Sequence, residues 1–177
     1  SEDAIPSILQ NALSVCFDPS VGHDYLEDYQ ARLDVYHREE ERLPFDIELL
    51  NKITAGGLRK KTLNVFMGGT GTGKSLVLGH ISAATLMQGK NVLYISMEMS
   101  EDSIGERIDA NLLDIPMGQL KKIDASMYES KMNRLIKKTA GKLIFKEYPT
   151  TSAHVGHFKI LIDELKTKKN FYPDLII

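Results

Sequence analysis

The spacing of apolar residues changes character near residue 62. Before it, apolar positions recur at helical intervals. Residues 4–15 carry Ile5, Ile8, Leu9, Ala12 and Leu13 on one stripe, with Pro6 in a first turn, where its missing N–H is tolerated. Residues 17–24 combine Asp-Pro with a glycine and read as a turn. A second helix is predicted over Tyr25–Arg42, ended by Pro44. Leu26, Tyr29, Leu33 and Tyr36 form its stripe, and a charged face that includes 38–42 lies opposite. A short helix is predicted over Asp46–Ile53, with Asp46 as N-cap and Gly56-Gly57 as its stop.

From Thr62 onward, short apolar runs alternate with amphipathic stretches. Strands are predicted over Thr62–Met67, Asn91–Met97, Leu143–Tyr148 and from Asp174 to Ile177. Helices are predicted over Leu76–Gln88 (with Gly89 as a C′ stop), Glu101–Leu112 behind an N-cap at Ser100, Met127–Lys138 and Ala153–Lys168. Strands separated by helices argue for an α/β fold with a mainly parallel sheet covered on both faces.

Between the first strand and its helix lies Gly68-Gly69-Thr70-Gly71-Thr72-Gly73-Lys74-Ser75. This is a complete G-x-x-x-x-G-K-[ST] loop in strand–loop–helix context, and it implies nucleoside-triphosphate binding. Glycines free the backbone to turn its N–H groups into one concavity, and the helix N-terminus adds positive potential. The Lys74 ammonium suits the β- and γ-phosphate oxygens, and the Ser75 hydroxyl suits a phosphate-bound Mg²⁺. Glu98 follows the second strand, at the end of a parallel sheet where ligands gather. From position alone, it either activates an attacking water or is a dipole-favoured acid near the next helix.

Bulk properties narrow the class. A length of 177 residues holds one domain with an appendage. The net charge of −2 gives no global basic signature, which leaves nucleic-acid binding to local loops. Cys16 is the single cysteine, so a disulfide framework within the chain is excluded and a reducing cytoplasm fits. No run approaches the roughly 20 apolar residues of a membrane span.

The run Asn91–Ser100 (NVLYISMEMS), the downstream Arg107-Ile108-Asp109-Ala110-Asn111 and the upstream Pro44–Gly57 (PFDIELLNKITAGG) strongly resemble replicative DNA helicases of the DnaB-like family, its T-even-type phage members above all. The resemblance covers nearly the whole chain, including the Ala4–Val15 helix and the VGHD turn at 21–24. Many ATPases share the glycine loop, whereas Ser-Met-Glu-Met after the second strand is more specific. The resemblance implies a RecA-type P-loop NTPase, with residues 1–43 a helical linker and subunit-docking segment and 44–177 the N-terminal part of the ATPase domain. It implies a homo-hexameric ring that encircles single-stranded DNA and couples ATP hydrolysis, with Mg²⁺, to unwinding duplex at a replication fork. Glu98 matches the glutamate that activates the hydrolytic water, beside Lys74 as the other catalytic residue. Gly68, Gly69, Thr70, Gly71, Thr72, Gly73, Lys74 and Ser75 match the nucleotide loop, and Ser75 the metal ligand. Primase and a helicase loader are the further implied partners, and the cytoplasm (of a host cell, if phage-encoded) the implied location.

The chain departs from that pattern at its ends. It begins without Met and stops inside a strand, which reads as a fragment. Family members continue into an Asp that supports Mg²⁺, then into DNA loops and an arginine finger, and carry a preceding primase-facing domain. Negligible ATP hydrolysis by this chain alone is therefore expected. A RecA-like recombinase or clock-type ATPase, and a non-hydrolysing assembly module, are the alternative readings. The helical segment before Pro44 either packs on its own domain or docks on a neighbour. Other groups point to structure: His154 and His157 are exposed or capping, Met97, Met99 and Met117 fill the core, and Arg107 pairs with an acid such as Asp109. Arg59-Lys60-Lys61, Lys121-Lys122 and Lys137-Lys138 are solvated faces.

Overall fold

A computed structural model describes residues 22, 24–38 and 40–177. The predicted helix at 4–15, most of the 17–24 turn and Cys16 lie outside the described residues. The chain divides into two compact units, one ending at Glu40 and a larger one over Glu41–Ile177.

Among the described residues of the first unit the helix is α1, Tyr29–His37, shorter than the predicted Tyr25–Arg42. The Asp24 carboxylate accepts from the backbone N–H groups of Leu26 (2.8 Å) and Glu27 (2.9 Å) and so holds residues 25–28 in a turn. Those bonds lower the Asp24 pKa, because they favour the charged form. At the other end Arg38 is extended, and Arg42 joins a strand instead. No α1 residue is buried.

The second unit opens with a hairpin that the sequence pattern did not suggest. Strands β1 (Arg42–Leu43) and β2 (Leu58–Arg59) pair antiparallel, Arg42 opposite Arg59 and Leu43 opposite Leu58. Between them α2 spans Glu48–Ile53. Asp46 does not cap it. Instead the Asn51 side chain bonds back to both backbone groups of Phe45, at 2.7 Å each.

The main sheet is parallel, in the order β4–β3–β5. Its strands are β3 (Val92–Ser96), β4 (Leu143–Glu147) and β5 (Leu175–Ile176). Val92 lies opposite Leu143 on one side and Leu175 on the other. Around the sheet run α3 (Lys74–Met87), α4 (Glu101–Leu112), the short α5 (Met117–Leu120), α6 (Ala125–Lys138) and α7 (Val155–Lys169). Successive β3 side chains point to opposite faces. Tyr94 joins Ala83, Ile104 and Ile108, packing α3 and α4 on one face. Leu93 joins Leu165 and Phe171, packing α7 on the other. With both faces covered, β3 is apolar nearly throughout.

Most predicted elements of this unit form within two residues of their expected ends. Thr62–Met67 does not. It joins no sheet, and Leu63, Val65 and Met67 are 91 %, 71 % and 90 % exposed. A strand is stable only with a neighbour to take its N–H and C=O groups. Thr62–Asn64 instead face Pro173–Ile176 across a cavity of about 580 Å³. Phe66 lies edge-on to the Phe45 ring at 6.4 Å, and the Thr62 hydroxyl donates to the Arg59 carbonyl at 2.8 Å.

Candidate functional site

Topology gathers the chemistry-bearing loops at one end of the main sheet. α3 runs away from the glycine loop, the chain reverses over 88–91, and β3 runs back. The first turn of α3 and the last residue of β3 therefore share one end. The parallel β4 ends there too, so residues 68–74, 97–100 and 148–154 border the carboxyl edge of the sheet.

The loop has the backbone its glycines were expected to supply. Gly71 and Gly73 have φ of 75° and 92°, in the left-handed region that other residues rarely adopt. At Gly68 a Cβ would lie 2.6 Å from the Thr72 hydroxyl oxygen, so any side chain there would push into the loop. The Thr72 hydroxyl closes the turn by donating to the Gly69 carbonyl at 2.8 Å. Lys74 folds over the loop, and its Nζ donates to the carbonyls of Gly68 (2.9 Å) and Gly69 (2.7 Å). Gly73 caps α3 without any side-chain bond, which leaves the first-turn N–H groups to an outside acceptor. Ser75 is half-buried at that turn, and its hydroxyl has no protein partner among the described residues. The uncapped N–H groups, the Lys74 ammonium and the unpartnered Ser75 hydroxyl are the donor set that fits a polyphosphate and its Mg²⁺.

Glu98 is exposed on the three-residue loop Met97–Met99, between β3 and the α4 N-cap Ser100. The buried Ser96 hydroxyl accepts from the backbone N–H groups of Met99 (2.8 Å) and Glu98 (3.3 Å). Across the edge, the Thr150 hydroxyl donates to the Met97 carbonyl at 2.8 Å, and the Tyr148 N–H donates to the Ser96 carbonyl at 2.8 Å. The sequence reading missed Ser96 and Thr150. A Ser two residues before Glu98 is a local signal for such a turn, but nothing local marks Thr150.

Arg107 does not pair with Asp109. The Asp109 carboxylate accepts from the Tyr128 hydroxyl at 2.9 Å, while Arg107 lines a cavity of about 320 Å³ with Leu76, Val77 and His80. Among the described residues no ion pair involves Arg107. Burial pushes the Tyr94 hydroxyl pKa up, and the nearby Arg107 charge partly opposes that.

His154 and His157 cap α7. The His154 Nδ1 accepts from the Gly156 N–H at 3.1 Å, and the His157 Nδ1 accepts from the His154 N–H at 3.2 Å. Their rings lie 4.0 Å apart. Both Nδ1 atoms are thus engaged as acceptors in the cap rather than turned toward a metal. No His/Cys/Asp/Glu cluster among the described residues could hold one. Of Met97, Met99 and Met117, Met99 packs on the core, whereas Met97 and Met117 are 46 % and 43 % exposed, because they fall on loop and helix edges. Glu41 anchors the basic hairpin. Its carboxylate bridges Lys60 (2.5 Å) and Lys90 (3.0 Å), and those two ammonium groups hold its pKa down to about 2. Among the described residues no helix is long and apolar enough to cross a membrane.

Residues 43–170 match the family described as the DnaB-like helicase C terminal domain. A DnaB-like replicative helicase of Enterobacteria phage T4 is 48 % identical over 177 aligned positions, which take in 98 % of this chain and 37 % of the phage protein. The chain thus spans little more than a third of the length of that curated relative.

Proposed function

The chain belongs to the DnaB-like helicase family, and on that premise we propose that it is the ATP-binding motor portion of a hexameric replicative DNA helicase. In this reading residues 44–177 are the N-terminal part of a RecA-type ATPase domain, and the helical segment before Pro44 is a linker that docks on the adjacent subunit. The glycine loop carries the proposal: a positive-φ backbone at Gly71 and Gly73, with the Lys74 ammonium folded over it, supports a triphosphate cradle. Gly68, Gly69, Thr70, Gly71, Thr72 and Gly73 wrap the phosphates with backbone N–H groups. Lys74 exchanges the loop carbonyls for β- and γ-phosphate oxygens. Ser75 offers its hydroxyl to Mg²⁺, which when bound neutralises charge developing on those oxygens.

Glu98 is the general base. Its exposure on a sheet-edge loop puts it in reach of water, and it takes a proton from the water that attacks the γ-phosphorus as the bond to the β–γ bridging oxygen breaks. Single-stranded DNA, neighbouring subunits, a primase and a loader are the partners this role requires.

Two measurements test it. ATP with Mg²⁺ should raise the melting temperature of the parent chain, by the equivalent of about 2.7 kcal/mol at 100 times Kd, and Lys74→Ala should abolish that shift. An equal shift in the variant would remove Lys74 from the site. In the full-length protein, Glu98→Gln should keep nucleotide affinity while hydrolysis falls by about 10²- to 10⁴-fold. Turnover at the parent rate would remove Glu98 from the chemistry.

A further inference from the structure

Glu98 sits on a short exposed loop, yet the loop's backbone is tied at several points. Ser96, buried at the end of β3, holds the Glu98 and Met99 N–H groups through one hydroxyl oxygen. Thr150, on the connection between β4 and α7, donates to the carbonyl of Met97, the residue directly before Glu98. Ser100 accepts from the Ser103 N–H at 3.2 Å, and the first residue of α4, Glu101, accepts from the Glu147 N–H at 3.0 Å. The peptide groups on both sides of Glu98 are therefore oriented by hydroxyls, one local and one 53 residues away.

We propose that Ser96 and Thr150 are positioning residues for hydrolysis: together they aim the Glu98 carboxylate by fixing the two peptide units that flank it. The proposal rests on the reading of Glu98 as general base. The physical reason is the stringency of proton transfer. A base must come within about 2.6–3.2 Å of the proton's donor, and a misplacement of about 1 Å can cost roughly 100-fold in rate. A long, exposed glutamate side chain starts from many rotamers. Fixing its backbone from both sides removes the loop's share of that spread without any contact to the nucleotide. Thr150 is exposed, so its hydroxyl adds little to folding and its bond to Met97 acts mainly on the direction of the loop.

The test compares Thr150→Val, Thr150→Ser, Ser96→Ala and Glu98→Gln in the full-length protein, reading steady-state ATPase kinetics and nucleotide affinity. Thr150→Val keeps the shape and removes the donor. Its kcat should fall about 10-fold or more with KM for ATP within about 2-fold, and Thr150→Ser should restore it. Ser96→Ala should behave the same way. If it fails to fold, the Thr150 pair decides alone. A raised KM at unchanged kcat would place Thr150 on the nucleotide and overturn the positioning role. Parent-like kcat in Thr150→Val beside an inactive Glu98→Gln would overturn the positioning role only. Full activity in Glu98→Gln would overturn the underlying reading as well.

Discussion

Two apolar runs of similar composition meet opposite fates. Asn91–Met97 forms β3, with Val92 and Leu93 fully buried between β4 and β5. Thr62–Met67 is equally rich in Leu, Val and aromatic residues, yet its alternate side chains Leu63, Val65 and Met67 lie in solvent. Strand propensity measures fit to a pleated, half-buried surface rather than a preference of the isolated backbone. β3 has a strand on each side, whereas Thr62–Met67 has no ladder partner among the described residues. The segment that leads into the phosphate loop is thus the less anchored of the two, and the strand that leads into Glu98 is the most anchored in the sheet.

The comparison can be broken most directly by truncating one side chain from each run. Leu93→Ala should destabilise the chain by about 2–5 kcal/mol, as for a fully buried leucine. Leu63→Ala should change stability by no more than about 0.5 kcal/mol. Urea unfolding followed by circular dichroism measures both, and comparable losses would show that Thr62–Met67 is packed. A smaller effect sharpens the anchored side. Ser100→Ala removes the cap that joins the Glu98 loop to α4 and should cost about 1 kcal/mol. A loss close to zero would mean that solvent replaces that bond and that the loop is held chiefly from Ser96 and Thr150.

The smallest effect concerns the hairpin beside the unpaired run, where Glu41 joins Lys60 to Lys90. Its pKa is depressed from 4.5 to about 2, so the pair contributes stability above pH 4.5 and loses it as pH falls toward 2. The difference in melting temperature between the parent and Glu41→Gln should be constant above pH 5 and shrink toward zero near pH 2. It should also weaken in high salt, because the pair is exposed. A difference that persists at pH 2 would assign the effect to packing rather than charge.

Much of the larger unit was legible before folding was considered. β3, β4, α4 and α6 carry periods and caps within a few residues of one another. Ser100 and its acceptance from Ser103 are an example. The hairpin was not legible, because its strands are two residues each and Arg42 meets Arg59 only across the whole of α2. The predicted Tyr25–Arg42 helix overran for a related reason. Asp24 closes a turn at one end, and Arg42 is recruited by β2 at the other. Sequence proximity offers Arg107 an acid such as Asp109, but Tyr128 on α6 already donates to that carboxylate, and no ion pair among the described residues involves Arg107.

The sequence by itself determined the glycine loop, its lysine and serine, the glutamate two residues past β3, and the alternation of strands and helices. All of these rest on chemistry or periodicity confined to neighbouring residues. Only the tertiary structure decided which apolar run enters the sheet and what holds the Glu98 loop. Those outcomes depend on partners far along the chain, Leu175 opposite Val92 and Thr150 against Met97, and hydrogen-bond partners at such separations leave no periodic trace.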